Sequence, residues 1–277
     1  MGAIVTVLIG ILLVFFDCTS LQAQEKNPVH IFQKTTGDGG FEYFAENQDL
    51  SPYQIQIDFP VLENLQPSIS LPYYQVIYPG KPQKLFVLIP KGGSSTSFRS
   101  QYQMAMGDPF VHVDLSYPYW LPFENGKSHI LIQGPNGSYT HQGKNAFDFV
   151  MEEGTKVCAS RDGLVVAVKE DSNIGGPDES FMKHGNRITI LHEDGSFSDY
   201  VHLQYQGATV RPGDRVKAGQ VIGLSGNTGW STKPHLHFQV YKAVKFGIQT
   251  LPVQFLISQQ VTGPIKESRT YRGYHPQ

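Results

Sequence analysis

The chain has 277 residues, 40% of them hydrophobic and 12% aromatic, with 24 acidic against 22 basic side chains and a formal net charge of −2. That composition supplies a packed core and excludes bulk disorder, and the near-neutral balance leaves no basic footprint for nucleic acid. The 28 glycines and 18 prolines suit many short strands joined by turns.

Residues 3–16 form an apolar run of about 14 residues, too short to span a bilayer comfortably and of the length of a signal-peptide hydrophobic region. The stretch Leu21-Gln22-Ala23 follows, so an export signal over residues 1–23 is expected and an exported, periplasmic or extracellular protein with it. No Lys or Arg precedes the run, and an uncleaved membrane anchor is the alternative. Cys18 follows bulky Phe15 and Phe16 and acidic Asp17, a poor setting for lipid attachment. Cleavage near Ala23 leaves Cys158 as the single cysteine, and no intramolecular disulfide is then possible. Cys158 lies in Lys156-Val157-Cys158-Ala159, a strand pattern in which it reads as a small buried hydrophobe.

From residue 25 to about 120 the chain reads as short strands. Tyr53, Ile55 and Ile57 alternate with Gln54, Gln56 and Asp58, the period of a half-buried strand. Residues 74–78 and 84–89 continue the series across the turn signal Pro79-Gly80-Lys81-Pro82, and Val111-His112-Val113-Asp114 adds a further strand. A β-rich, immunoglobulin-like sandwich domain is expected over residues 25–120. The aromatic, proline-rich segment Tyr117-Pro118-Tyr119-Trp120-Leu121-Pro122-Phe123 marks a boundary. Residues 121–245 are again strand-rich, with strands at 188–191, 199–203, 220–224 and 235–241. Turns at Glu193-Asp194-Gly195, Pro212-Gly213-Asp214 and Gly226-Asn227-Thr228-Gly229 separate them. The C-terminal extension, 246–277, carries one expected short helix near 253–259. The fold class is therefore mostly β: a C-terminal antiparallel sheet domain with a smaller N-terminal sandwich-like one.

Three segments carry polar groups of chemical interest. In Pro234-His235-Leu236-His237-Phe238 the two imidazoles sit two residues apart, so on a strand they share one face while Leu236 and Phe238 take the other. Alone, such a pair is more often a polar surface. In His141-Gln142-Gly143-Lys144-Asn145-Ala146-Phe147-Asp148-Phe149 an aspartate is enclosed by aromatics. A buried carboxylate is costly unless paired or metal-bound, although an Asp capping a turn is the plainer reading. Tyr200-Val201-His202-Leu203 is a third strand, with Tyr200 and His202 on one face. Together these supply four histidines and one aspartate, enough for three N/O ligands, an open metal position and two further imidazoles, the composition that catalytic zinc requires. The remaining histidines, 30, 112, 129, 184, 192 and 275, lack partners in sequence. His192, at the start of the turn His192-Glu193-Asp194-Gly195, reads as solvated.

These segments resemble the lysostaphin/LytM-type zinc endopeptidases that cut peptide bonds of bacterial peptidoglycan. The resemblance spans roughly 129–241, with His141 and Asp148, Gly185-Asn186-Arg187-Ile188, Tyr200-Val201-His202-Leu203, residues 210–226 and Pro234-His235-Leu236-His237-Phe238 in the family's order. It implies a metallopeptidase domain over 121–245, Zn2+ held by His141, Asp148 and His237, a catalytic pair His202 and His235, and Asn186 lining the substrate cleft. It also implies peptidoglycan peptides as partners, with no nucleic acid and membrane contact only through the signal segment. Asp148 follows His141 by seven residues where the family pattern has four, which asks the loop at Gly143 to bulge. Asn145 stands at the four-residue offset but is a poor zinc ligand. A family member that has lost catalysis, and binds cell wall or activates another hydrolase, is the alternative. The segment 210–223 is also similar to the hairpin pattern of biotinyl/lipoyl carriers, yet Lys217 falls in the middle of the pattern and not at a hairpin tip.

Overall fold

Alternating burial along Tyr53–Glu63 and a buried run at Ala146–Val150 introduce the two kinds of strand from which the chain is built. The structure, a computed structural model, describes residues 27–92 and 95–276; the expected signal at 1–23 and Cys18 lie outside them. Strands dominate, and among the described residues the one helix is the 3-10 turn Glu179–His184. No helix among them is long and apolar enough to cross a membrane.

The chain divides into two compact units, one running up to Gln48 and over Ile55–Met104, the other comprising Asp49–Gln54 and Ala105–Gln277. The first unit contains a four-stranded antiparallel sheet in the order Val29–Thr35, Phe41–Asn47, Gln83–Pro90, Leu65–Pro67, and a three-stranded sheet with Tyr53–Glu63 between Tyr73–Ile77 and Ser97–Met106. Tyr43, Phe59 and Phe86 form its aromatic core, with Tyr43 stacked on Phe86 at 4.8 Å and edge-on to Phe59 at 5.4 Å.

The second unit is organised by a nine-stranded antiparallel sheet. Its members are β1 (Ser128–Gln133), β2 (Ala146–Val150), β3 (Gly163–Lys169), β4 (Arg187–Leu191), β5 (Phe197–Val201), β6 (Arg215–Val216), β7 (His235–Val244), β8 (Gly247–Thr250) and β9 (Arg269–Arg272). The spatial order is β6-β3-β4-β5-β7-β2-β1-β9, with β8 hairpinned onto β7. One face is apolar: Phe147, Phe149, Ile188, Ile190, Tyr200, Leu236, Phe238 and Val240 are buried against a smaller sheet of Lys156–Cys158, Val221–Ser225 and Leu203–Ala208 and against the C-terminal Phe255. Fully burying side chains of this size contributes roughly 1.5–3 kcal/mol each. That face fixes the register of every strand, because a one-residue slip would turn Phe147, Phe149, Leu236 and Phe238 out of the core. The opposite face is therefore where the same strands present their polar residues. Cys158 is buried and its thiol is pushed up to about 12 by that burial.

Two segments differ from expectation. Residues 111–114 form no strand, because Val113 packs on the core and Val111 lies against Gly195, where a Cβ would meet it at 2.5 Å; side-chain anchoring consumes the alternation. The expected helix near 253–259 is the strand Gln254–Ser258, paired in parallel with Pro118–Trp120 and burying Phe255. The tail then continues through Val261–Gly263 to β9, which closes the edge of the main sheet beside β1.

Candidate metal centre

Strand β7 carries His235 and His237 on the polar face, while Leu236 and Phe238 fill the core. Asp148 of β2 is the direct cross-strand partner of His237. Its own neighbours Phe147 and Phe149 point the other way, so the carboxylate is buried among imidazoles and not among phenyl rings. His141 reaches it from the loop before β2. Lys144 N–H donates to the His141 carbonyl at 2.8 Å and Gly143 turns at φ +70°, a left-handed conformation that glycine adopts without strain. This turn takes up the three extra residues between His141 and Asp148. Asn145 is engaged elsewhere: its backbone and side-chain N–H groups both donate to Thr250.

The three groups converge on one point. Asp148 Oδ1 lies 2.9 Å from His237 Nδ1 and 3.3 Å from His141 Nε2, and the two imidazole nitrogens are 3.3 Å apart. His141 donates from Nδ1 to the Gly134 carbonyl at 3.0 Å, so its Nε2 faces the site as a lone pair. Two imidazole nitrogens and a carboxylate oxygen aimed at each other need a proton or a cation between them. Tetrahedral zinc, with bonds of about 2.0–2.1 Å, holds its ligand atoms about 3.3 Å apart, which is the spacing seen. The residues therefore fit zinc by donor chemistry and by spacing.

Two further imidazoles border this point. His235 Nε2 is 3.8 Å from Asp148 Oδ1, and its ring centroid is 4.6 Å from that of His202. Both have their Nδ1 occupied by a backbone carbonyl, Thr228 O at 2.7 Å for His202 and Lys233 O at 2.8 Å for His235, so each leaves Nε2 free. His202 departs from the expected shared face with Tyr200. Tyr200 is in the core, its hydroxyl accepting from Ser160 N–H at 2.7 Å. His202 lies just past the end of β5 with φ +65°, and this left-handed residue swings the ring round to the metal side. Such a conformation costs a non-glycine residue about 1–3 kcal/mol and is retained where the surroundings hold it. The Thr228 carbonyl is what holds this one.

Electrostatics separate the roles. Burial pushes the Asp148 carboxyl up, but the His141 and His237 ring nitrogens beside it outweigh that and hold the group well below the usual carboxylate range. For His237 burial acts downward, and the Asp148 hydrogen bond and charge overcome it to raise the ring's basicity. His202 is pushed down to about 3 by burial, reinforced by His235 and His237. His235 is also lowered, by burial first and by His237 and His141, although Asp148 opposes the shift. Both outer rings are thus neutral near pH 7.

Asn186 is fully buried. Its amide donates to Ser172 O at 2.7 Å and to Leu203 O and Gln204 O at 3.3 Å, while its Oδ1 accepts from Ser172 N–H at 3.1 Å. It lies behind the wall of the cleft, tying the 172 loop to the turn that follows His202. That wall encloses a groove of about 490 Å³ lined by Glu153, Asn173, Gln204, Tyr205, Asn227 and Thr232, together with the glycines 175 and 176. Thr228 and Ser231 also line it, and they touch His202 and His235 respectively.

Gln133, at the end of β1, escaped the sequence reading. Its Nε2 donates to Asp148 Oδ2 at 2.9 Å, and its Oε1 accepts from the backbone N–H groups of Tyr139 and Thr140, so one side chain locks the carboxylate to the His141 loop. No local pattern announces it, because the pairing depends on a bulge between β1 and β2. His192 is not solvated: it is 2% exposed, donating from Nδ1 to Asp162 O at 2.8 Å with Nε2 3.0 Å from Ser198 Oγ. The chain closing around Phe197 and Ser198 buries it.

Residues 142–250 match Peptidase family M23. The matched segment contains Asp148, Asn186, His202, His235 and His237, and His141 immediately precedes it. Glycyl-glycine endopeptidase ALE-1 of Staphylococcus capitis is 47% identical over 93 residues, 33% of this chain and 23% of ALE-1. Peptidoglycan DD-endopeptidase ShyC of Vibrio cholerae is 37% identical over 123 residues, 44% of this chain and 25% of ShyC. The catalytic domain of the antimicrobial peptidase lysostaphin from Staphylococcus simulans aligns with 45% of this chain and 87% of that domain at 33% identity, with a TM-score of 0.34. The aligned part of the chain spans about a quarter of the length of these two curated relatives.

Proposed function

The chain belongs, through its second unit, to peptidase family M23, and on that premise we propose that it is an exported zinc endopeptidase acting on the peptide cross-links or stem peptides of peptidoglycan. The observation that carries the reading is the triangle of His141 Nε2, Asp148 Oδ1 and His237 Nδ1, 2.9 to 3.3 Å on each side, beside two neutral imidazoles whose Nε2 atoms are unspent. His141, Asp148 and His237 would hold the ion. Bound there, zinc supplies a Lewis acid for the scissile carbonyl and brings the pKa of water to roughly 7.

The chain's own residues do the rest. Either His202 or His235 accepts the proton of the attacking water at Nε2 and returns it to the departing amine, and the pair stabilises the developing oxyanion by hydrogen bonding. Their carbonyl partners, Thr228 and Lys233, keep each Nδ1 protonated and hence each Nε2 available. Asn186 serves the substrate through the wall it ties together. The groove over Gly175, Gly176 and Tyr205 receives the peptide. A substrate of this kind lies outside the cytoplasm, in keeping with an export signal over residues 1–23.

Digestion of purified peptidoglycan of several chemotypes, with mass spectrometry of the products and zinc analysis of the protein, tests the reading. The wild-type protein should carry one zinc and release cross-bridge or stem-peptide fragments, and a chelator should stop it. His237→Ala should lose metal and activity together, and His202→Ala should keep the metal and lose turnover. Wild-type turnover in the His202 variant, or product formation indifferent to chelator, would refute the mechanism.

A further inference from the structure

The face of the sheet that holds the ion position also carries an apolar row. Val150 is the direct cross-strand partner of His235. Like Asp148, two residues earlier on β2, it points away from the core that Phe147 and Phe149 fill. On β1 the core side chain is Leu131, paired with Phe149, so Ile130 comes next to Val150 and faces the same way. Thr270 of β9 pairs with Ile130 and ends the row. Ile132 is the unopposed residue of the bulge between β1 and β2, beside the Gln133–Asp148 pair. Val150, Ile130 and Ile132 are 39%, 45% and 50% exposed. Single exposed aliphatics are ordinary on a protein surface, but neighbouring ones that adjoin a site mark a binding surface. Strand propensity does not require them, because a threonine at 150 would keep the β-branched shape with a hydroxyl in place of one methyl.

We infer that this row binds aliphatic side chains of the peptide substrate on one side of the scissile bond, with Val150 the specificity-determining residue that favours alanine over glycine there. The inference rests on the function proposed above and names the substrate class more closely. The scissile carbonyl must lie within reach of both His235 Nε2 and the ion position. Cross-strand partners on one face have Cβ atoms about 4.5–5.5 Å apart, so Val150 borders the residue that occupies that point. Neighbouring strands are about 4.8 Å apart, which puts Ile130 about 10 Å and Thr270 about 14 Å from His235. An extended peptide advances about 3.3–3.6 Å per residue. One running along the row therefore passes Val150 one or two residues from the cut and Ile130 at about the third. None of these side chains lines the groove that holds Glu153 and Tyr205, so the row is a second surface leaving the same histidine. A peptide of glycine alone has nothing to bury there. A methyl group covered by Val150 should raise kcat/KM by about 4-fold.

Two readouts on the full chain separate the row from the hydrolase reading. The first is kcat/KM for pentaglycine and for the peptides in which each glycine in turn is replaced by L- or D-alanine. The second is the 13C methyl NMR spectrum of Val150 and Ile130 as the same peptides are added, which does not depend on cleavage. Wild-type protein should favour alanine over glycine by about 4-fold at one or more positions within about three residues on one side of the cut. The two methyl signals should shift with the favoured peptides. Val150→Thr should bring the preference near the cut toward parity, and the ratio of two substrates cancels any change at His235 or in zinc content. Ile130→Thr should lower the preference at the position farther from the cut, and carries the test if the Val150 variant does not fold. Equal or faster cleavage of the all-glycine peptide, or an unchanged preference in both folded variants, would overturn the inference. A protein that cuts no peptide, yet whose Val150 and Ile130 methyls shift with alanine peptides and not with pentaglycine, would support the row while overturning the proposed function. Methyl signals that stay still would overturn the row whatever is cut.

Discussion

The burial of His192 makes the second unit sensitive to acid over a defined range. His192 begins the hairpin between β4 and β5, where its N–H donates to the Ser196 carbonyl, and β5 leads directly into His202. Burial, helped by the charge of Arg161 and opposed by the Asp162 carbonyl, lowers its pKa from 6.5 to about 4. The folded state therefore holds the ring neutral while the unfolded chain protonates near 6.5. Stability is complete above pH 6.5 and falls as pH drops toward 4. The loss from this group is about 2 kcal/mol at pH 5 and about 3 kcal/mol below pH 4. Both tryptophans, Trp120 and Trp230, belong to the second unit, so urea titrations followed by tryptophan fluorescence report its unfolding. Measured at pH 7.5 and pH 5.0, wild-type protein should lose about 2 kcal/mol more between the two than His192→Gln does. The variant will be less stable at both pH values through its lost hydrogen bonds, but that offset cancels in the comparison. Parallel pH profiles for the two proteins would refute the assignment of a neutral, buried imidazole.

Two further substitutions probe the walls that hold His202 and His235. Asn186→Ala strands the Ser172 N–H and carbonyl and should cost about 3 kcal/mol, with kcat falling more than KM rises because the turn after His202 loosens; an unchanged melting temperature would count against it. Gly229→Ala must place a Cβ 2.5 Å from Gly185 Cα at φ +78°. It should destabilise by about 2 kcal/mol or more and disturb the Thr228 carbonyl that orients His202, which calorimetry and steady-state kinetics on peptidoglycan would register.

The features legible in the sequence share a physical property: they are set by the strand period or by local burial. Phe147-Asp148-Phe149 and Leu236-His237-Phe238 each alternate two apolar side chains with one polar group, so once either strand is laid on a core the polar group faces away from it. Placing the two strands side by side brings Asp148 opposite His237. What stayed hidden depends on non-local pairing. Residues 254–258 are a short apolar run that periodicity cannot divide between helix and strand, and pairing with Pro118–Trp120 decides it. His192 reads as part of a polar turn until the hairpin closes over it. His202 follows the alternation of β5 only up to Val201 and then breaks it with one left-handed residue, and no spacing in the sequence foretells that break.

The seven-residue separation of His141 and Asp148 shows how the two kinds of information combine. Their side chains come from different kinds of structure, one from a loop and the other from the centre of a strand, so residue spacing between them carries no fixed distance. What the site requires is that the loop return to β2 with His141 Nε2 turned inward. The Gly143 turn returns it, the Gly134 carbonyl orients the ring, and Gln133 ties the loop to the carboxylate itself. A change in loop length is therefore tolerated where a change at Gln133 would not be, because that side chain ties the sheet to the loop that carries His141.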